Sequence, residues 1–168
     1  EYPHLKKFDL YNTSSLKGLS VKVFGKQYIE QLRDDQKPGI FFSAHLGNWE
    51  INAMSAVQKG LPLTLVYRKP NNPFSDFLVK KARSHITDSF AAKGKDGARK
   101  AIKVLSQGGH LAMLADQKMN DGISVPFFGI NAMTAPAIAE LAIKFNCPIV
   151  PARAKRIKGT KFEMRLYP

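Results

Sequence analysis

A chain of 168 residues with 44% apolar side chains suits one domain with a real core and is too apolar for disorder. Lysine and arginine number 26 against 13 acidic residues, a formal charge of +13, and the cations are dispersed along the chain. Such a surface favours anionic partners: nucleic acid, an acidic membrane leaflet, a phosphorylated substrate or an acidic carrier protein. The single Cys147 excludes an internal disulfide, and without a Cys/His cluster there is no structural zinc site, so a reducing compartment is expected. No apolar run approaches the roughly eighteen residues of a membrane span, and no signal-peptide pattern opens the chain. A start at Glu1 and a stop at Pro168 just after a strand-like segment read as a piece excised from a longer protein.

After a polar opening, residues 21–25 (VKVFG) read as a short strand, and KQYIEQLRDD reads as a helix leading to the Lys37-Pro38-Gly39 turn. GIFFSA is apolar and β-prone, as a buried strand should be, and Leu46-Gly47-Asn48 supplies a turn and a cap before the amphipathic stretch WEINAMSAVQKG. LTLVYR, residues 63–68, is another strand. Asn72-Pro73 places a capping side chain and an N1 proline at the start of a helix running to about His85, with Phe74, Phe77, Leu78 and Ala82 as its buried face. A further helix runs from near Asp96 to Gln107 and stops at Gly108-Gly109, giving way to the strand HLAMLA. The stretch ADQKMNDGISVPFFG reads as a loop. A helix from Thr134 to about Phe145 follows, then strands PIVPARAKRI and KFEMRLY, with Cys147 as a small buried hydrophobe beside Pro148.

Strands alternating with helices of ten or more residues predict a single α/β domain over residues 1–168, its sheet built largely from crossover units and covered on both faces. Ligands in such folds bind outside the carboxyl ends of the strands. His45, Arg68 and Asp116 all fall at such ends, so three polar residues distant in sequence converge on one predicted crevice.

Within that crevice FFSAHLGNWE holds the most chemistry, because it sets His45 and Glu50 at a strand-to-helix junction. Helix side chains lean toward the helix N-terminus, so the Glu50 carboxylate is expected to point back at the imidazole of His45. An imidazole held by a carboxylate is a competent general base toward a hydroxyl, and no serine nucleophile is needed if the substrate brings its own hydroxyl. The first N–H groups of the helix after Asn48 are placed to stabilise charge on an attacked carbonyl, which together describes acyl transfer to an alcohol. By itself the H-x4-E spacing is a weak motif; its bland alternative is a partly buried histidine and a helix-capping glutamate.

Four ordered blocks add to it. HLGNWE after GIFFSA, then YRKPNNPFSDFLVKKAR, then GGHLAMLADQ, then VPFFGINAMTAPAIAELA together resemble the bacterial lipid A biosynthesis acyltransferases, the late acyltransferases of lipopolysaccharide assembly. The resemblance runs from about Val21 onward. It implies a glycerol-3-phosphate acyltransferase-like fold with a largely parallel or mixed sheet flanked by helices. It implies transfer of a fatty acyl chain from acyl carrier protein to a hydroxyl of a lipid A precursor at the cytoplasmic face of the inner membrane, with an anionic membrane surface as a further partner. It makes His45 the general base, Glu50 its partner, and Arg83 and Asp116 functional residues. A strand-end aspartate in the predicted crevice, Asp116 is also placed to orient Arg83 or a substrate hydroxyl. Members of this family are longer, with an N-terminal anchor and additional C-terminal helices.

Arg68 is either a phosphate contact or an ordinary strand-end cation, and Arg83 is either functional or a solvated helix arginine beside Lys80 and Lys81. The VPFFG stretch suits an acyl-chain groove, with plain core as the alternative for Phe127 and Phe128; Trp49 either rests at the pocket mouth or packs. His85 and His110 read as structural. The histidines show no metal-ligand spacing and no Gly-rich nucleotide fingerprint is present, so no metal and no cofactor are expected; a thioester donor is already activated. Rival readings are an acyl-CoA-dependent enzyme acting on another glycolipid or an aminolipid, a basic nucleic-acid-binding domain, and a non-catalytic membrane adaptor. The nucleic-acid reading calls for a recognition helix or an aromatic β-platform, and the sequence offers neither.

Overall fold

The computed structural model describes residues 9–11 and 20–168. Among the described residues nine strands and five helices follow one another: β1 (Ser20–Phe24), α1 (Gln27–Asp34), β2 (Gly39–Ser43), α2 (Glu50–Gln58), β3 (Leu63–Tyr67), α3 (Pro73–Arg83), β4 (Phe90–Ala92), α4 (Lys95–Ser106), β5 (His110–Leu114), β6 (Lys118–Phe127), β7 (Ile130–Thr134), α5 (Ala137–Phe145), β8 (Ile149–Lys158) and β9 (Lys161–Leu166). Seven strands form one sheet in the order β1-β9-β8-β2-β5-β3-β4, while β6 and β7 form a separate ribbon. All pairings in the large sheet are parallel except β8 with β9.

Alternation along the central strands divides the core in two. Phe41 and Ala112 face one side, where Ile29 and Leu32 of α1 and Ile51 and Met54 of α2 cover them. Ile40 and Leu111 face the other, under Ala101 and Leu105 of α4 and Ala142 of α5, with Cys147 buried among them. This two-residue period, buried on both faces, is why β2 and β5 read as continuous apolar runs. The expected α/β fold with a mostly parallel sheet flanked by helices is the one observed. His110 is structural, its Nε2 lying 2.9 Å from the Leu32 carbonyl.

The structure departs from the sequence expectations in several places. Helix α3 does begin with Asn72 capping the Phe74 N–H at 2.8 Å and proline at N1. Its expected buried face, however, lies outward: Phe74, Phe77 and Leu78 are exposed, and the buried residues are Asp76 and Arg83. The inward stripe is polar, because Asp76 accepts a 2.7 Å bond from the Tyr67 hydroxyl and pairs with Lys80 at 2.9 Å. Spacing at 76, 80 and 83 is as helical as that of the phenylalanines, and tertiary partners decide between the two.

The supposed loop before α5 is the ribbon β6/β7, and the stretch up to Thr134 belongs to it, so α5 starts later than expected. Phe127 pairs with Ile130 across a two-residue turn in which Phe128 and Gly129 have φ of 49° and 79°, as a primed hairpin turn requires. Pro126 lies within β6, and a two-stranded ribbon has only edges, where proline is tolerated. Phe127 and Phe128 are exposed and lie in neither described core, and the VPFFG stretch, expected as an acyl-chain groove, supplies no wall of the main cavity among the described residues. The three-residue edge strand β4 was not anticipated at all, being too short to show a period.

The two faces of α3 give a direct test of this arrangement. Phe77→Ser should change unfolding free energy by no more than about 0.5 kcal/mol, as for an ordinary surface position. Phe41→Ala, which empties a fully buried site, should cost about 3–5 kcal/mol in the same denaturant titration.

Candidate active site

Parallel register delivers the site. Ser43 pairs with Leu114 at the carboxyl ends of β2 and β5, and the Ala115 N–H bonds the Ser43 carbonyl at 2.9 Å. The chains leaving these two strands are therefore neighbours, and they carry His45 and Asp116. Asp116 holds His45 twice: Oδ2 accepts the His45 backbone N–H at 2.8 Å, and Oδ1 lies 2.7 Å from Nδ1. An ionised carboxylate only accepts, so Nδ1 carries the proton and Nε2 is left as the basic nitrogen. Burial raises the Asp116 carboxyl, but the hydrogen bonds from the His45 ring and backbone outweigh it and hold the group below the usual carboxylate range.

The turn that presents His45 depends on Gly47. Its φ is +60°, and a Cβ there would lie 2.5 Å from the Ala154 carbonyl oxygen of β8. No larger residue fits without moving the sheet. Helix α2 then starts at Glu50 with Trp49 as its N-cap, and no side chain caps it. The expected cap, Asn48, is instead buried, with its Nδ2 unpartnered.

The carboxylate on the imidazole is thus that of Asp116, correcting the expectation that Glu50 would fill this place. Glu50 turns to Arg83, whose Nη2 and Nε donate to Oε1 at 2.7 and 3.0 Å. Both side chains are nearly out of solvent. The first seven residues of α2 are all buried, so a carboxylate there needs a cation, and α3 supplies it. Arg83 also stacks on Trp49, its guanidinium carbon 5.0 Å from the ring centroid, and Trp49 meets the His45 ring edge-on at 5.3 Å. Trp49 therefore bridges the ion pair and the imidazole, and it lines the pocket as well as packing.

All of this borders a cavity of about 830 Å³. His45, Glu50, Arg68 and Arg83 line it, and Asp116 adjoins it through His45. Its walls are mostly apolar, including Val66, Ile102, Met113, Ile138 and Leu141. Sequence reasoning missed Ser43, Asn52, Lys93 and Lys118, which also line the cavity. Asn52 Nδ2 bonds Ser43 Oγ at 2.7 Å, while its Oδ1 is buried without a partner. An asparagine two positions past Glu50 in an otherwise apolar stretch was the available signal. Lys93 follows β4, the strand that the sequence concealed; its N–H bonds the Tyr67 carbonyl at 2.8 Å, which sets it beside Arg68. Among the described residues no group of three or more His, Cys, Asp or Glu could hold a metal ion.

The sequence profile of the bacterial lipid A biosynthesis acyltransferases matches residues 8–168. The chain belongs to that family. A lipid A biosynthesis acyltransferase from Haemophilus influenzae is 25% identical over 149 residues, covering 86% of this chain. The chain spans 46% of that relative's length. In this acyltransferase-family chain no described helix is long and apolar enough to cross a membrane.

Two outcomes follow from the charge arrangement. Removing one partner of the buried pair should be costly: Glu50→Ala is expected to lose about 3–5 kcal/mol in denaturant unfolding, whereas Glu50→Leu combined with Arg83→Met should recover much of that loss. A group depressed in the folded state contributes stability that is present above its unfolded pKa and lost as pH falls through the folded value. Asp116→Asn should therefore flatten the acid side of the stability profile below about pH 4, measured by thermal midpoint.

Proposed function

We propose that this chain carries the catalytic half of an acyltransferase that moves a fatty acyl chain from a thioester to a hydroxyl of a lipid A precursor. The observation that carries the reading is the His45–Asp116 pair on the rim of a large apolar cavity. Family membership supports the reaction class, and the relative's name supports lipid A synthesis.

In this reading the acceptor hydroxyl lies against Nε2 of His45 and attacks the thioester carbonyl as its proton passes to that nitrogen. Asp116 stabilises the imidazolium that forms. The oxyanion of the tetrahedral intermediate faces the N-terminal end of α2, where the helix dipole is positive. Collapse breaks the carbon–sulfur bond, and the departing thiolate takes the proton back from Nε2, leaving an ester and a free thiol. The apolar walls between α4 and α5 hold the acyl chain. Glu50 and Arg83 act as positioning residues, fixing Trp49 and through it the imidazole.

The donor is taken to be an acyl carrier protein, and the acceptor surface that of an anionic inner membrane. Arg68, Lys93, Lys118 and Lys144 around the cavity give a field suited to both. Arg68 in this reading meets a phosphoryl group of one substrate.

His45→Ala should lower turnover by about a hundredfold to ten-thousandfold in a mass-spectrometric transfer assay, with its circular dichroism spectrum intact. Asp116→Asn should lose activity on a similar scale through kcat rather than KM, because the amide leaves the wrong tautomer on His45. Near-normal turnover in either variant would remove the dyad from the mechanism.

A further inference from the structure

Apart from Lys118 at its foot, the ribbon β6/β7 is a part of the described fold that the catalytic reading leaves unused. It pairs with no strand of the large sheet, and a two-stranded ribbon is at best marginally stable alone in water. Both of its feet stand on the cavity rim, because Lys118 and Met119 at its start and Ala135 after its end line the cavity. Its base is pinned by a bulge: Lys118 and Ile123 both pair with Thr134, and a Cβ on Gly122 would lie 2.3 Å from the Thr134 carbonyl oxygen.

The far end is apolar and bare. Phe127, Phe128 and Ile130 are 64%, 92% and 76% exposed, and the two rings meet edge-on at 4.6 Å. Phe128 sits at φ +49°, a position in a primed turn that asparagine, aspartate or glycine fills without strain. A bulky aromatic there is strained, and it gains no burial in return. Strain without a folding benefit points to a partner outside the fold.

We propose that the β6/β7 hairpin is a wedge whose tip enters the interfacial layer of an anionic bilayer beside the mouth of the acyl cavity. The proposal rests on the reading of the acceptor as a lipid, which gives a bilayer-facing mouth its use. Lipid fits the chemistry of the ribbon better than a protein groove does. Residues 122–134 contain no charged side chain, as a segment entering a membrane requires, while the phenylalanine rings at its tip suit the boundary between headgroups and acyl chains. Lys118 at the foot, with Arg68, Lys93 and Lys144 around the same cavity, would face acidic headgroups once the tip is inserted. At about 3.3 Å per residue the paired stretch from Ile123 to Phe127 reaches about 13 Å, enough for the roughly 5–10 Å depth of interfacial insertion. Unpaired strand edges forbid deeper entry.

The test is made in the full-length protein by placing tryptophan at the tip (Phe128→Trp) and adding vesicles of phosphatidylglycerol and phosphatidylcholine. Brominated acyl chains should quench the added emission, measured against the unsubstituted protein, more strongly with phosphatidylglycerol than with phosphatidylcholine alone. Phe127→Ser/Phe128→Ser should lower transfer to vesicle-embedded acceptor at least tenfold and leave transfer to detergent-dispersed acceptor within twofold. Phe128→Asn relieves the turn, so its thermal midpoint should hold or rise while vesicle transfer falls; a purely structural role predicts that both fall. Emission already blue-shifted and unquenched in the full-length protein would mean that another part of the chain covers the tip, and would overturn the proposal. So would a variant impaired only in its KM for carrier-bound donor in detergent. Quenching is read without any acyl transfer, so failure of the wedge and failure of the catalytic reading give separate signatures.

Discussion

The site depends on one pairing, the parallel ladder between β2 and β5 that ends with Ser43 against Leu114. Carboxyl ends of parallel strands share an edge, so the two segments leaving this ladder emerge side by side. Everything chemical follows from that adjacency. Asp116 can bind both the backbone and the ring of His45 only because the ladder fixes their spacing, and Gly47 lets the His45 turn fold back against β8 without a steric conflict. A slip of one residue would reverse the faces of the strand and part the two side chains.

The ion pair of Glu50 and Arg83 is a second constraint, and it explains why α3 is turned as it is. A carboxylate in the buried first turn of α2 needs its counter-charge from elsewhere, since an unpaired buried charge costs several kcal/mol. Arg83 meets that need, while Asp76 anchors the start of the same helix to Tyr67. Helix α3 is thus held to its neighbours at two polar points and leaves Phe74, Phe77 and Leu78 outward. A stability requirement in α2 decides which face of a different helix sees water. The same arginine carries Trp49, so the pair also shapes the wall beside the imidazole.

These polar contacts border a cavity whose remaining walls come from both cores, with Phe41, Ala53 and Leu65 of the first and Ala101, Ile138 and Leu141 of the second. Apolar packing against the sheet continues there from Leu105 and Ala142 to the open walls at Ile138 and Leu141. A chain of methylenes would extend this core rather than disturb it, and the polar rim would hold its reactive end. The cationic rim and the feet of the β6/β7 ribbon line the same cavity, which sets the proposed chemistry beside the proposed bilayer wedge.

Much of the architecture was legible because local signals were strong. The runs at β2, β3 and β5, the Asn72-Pro73 helix start and the Gly108 stop each carry their own physical cause, and alternation of strand and helix makes a parallel sheet the natural result. From those elements, the convergence of His45, Arg68 and Asp116 followed by topology alone. What sequence could not decide was which carboxylate meets which cation. Glu50 is five residues from His45 and Asp116 is 71, so local geometry favours the nearer one, yet the register of β2 with β5 brings the distant residue to 2.7 Å. Likewise α3 has two stripes of equal helical spacing, and only its partners on α2 and β3 select the polar one. The β6/β7 ribbon was hidden because its glycines and proline imitate a loop and its two strands bury almost nothing. Residue pattern determines which elements form; side-chain pairing between elements is a property of their packing, and that exists only in three dimensions.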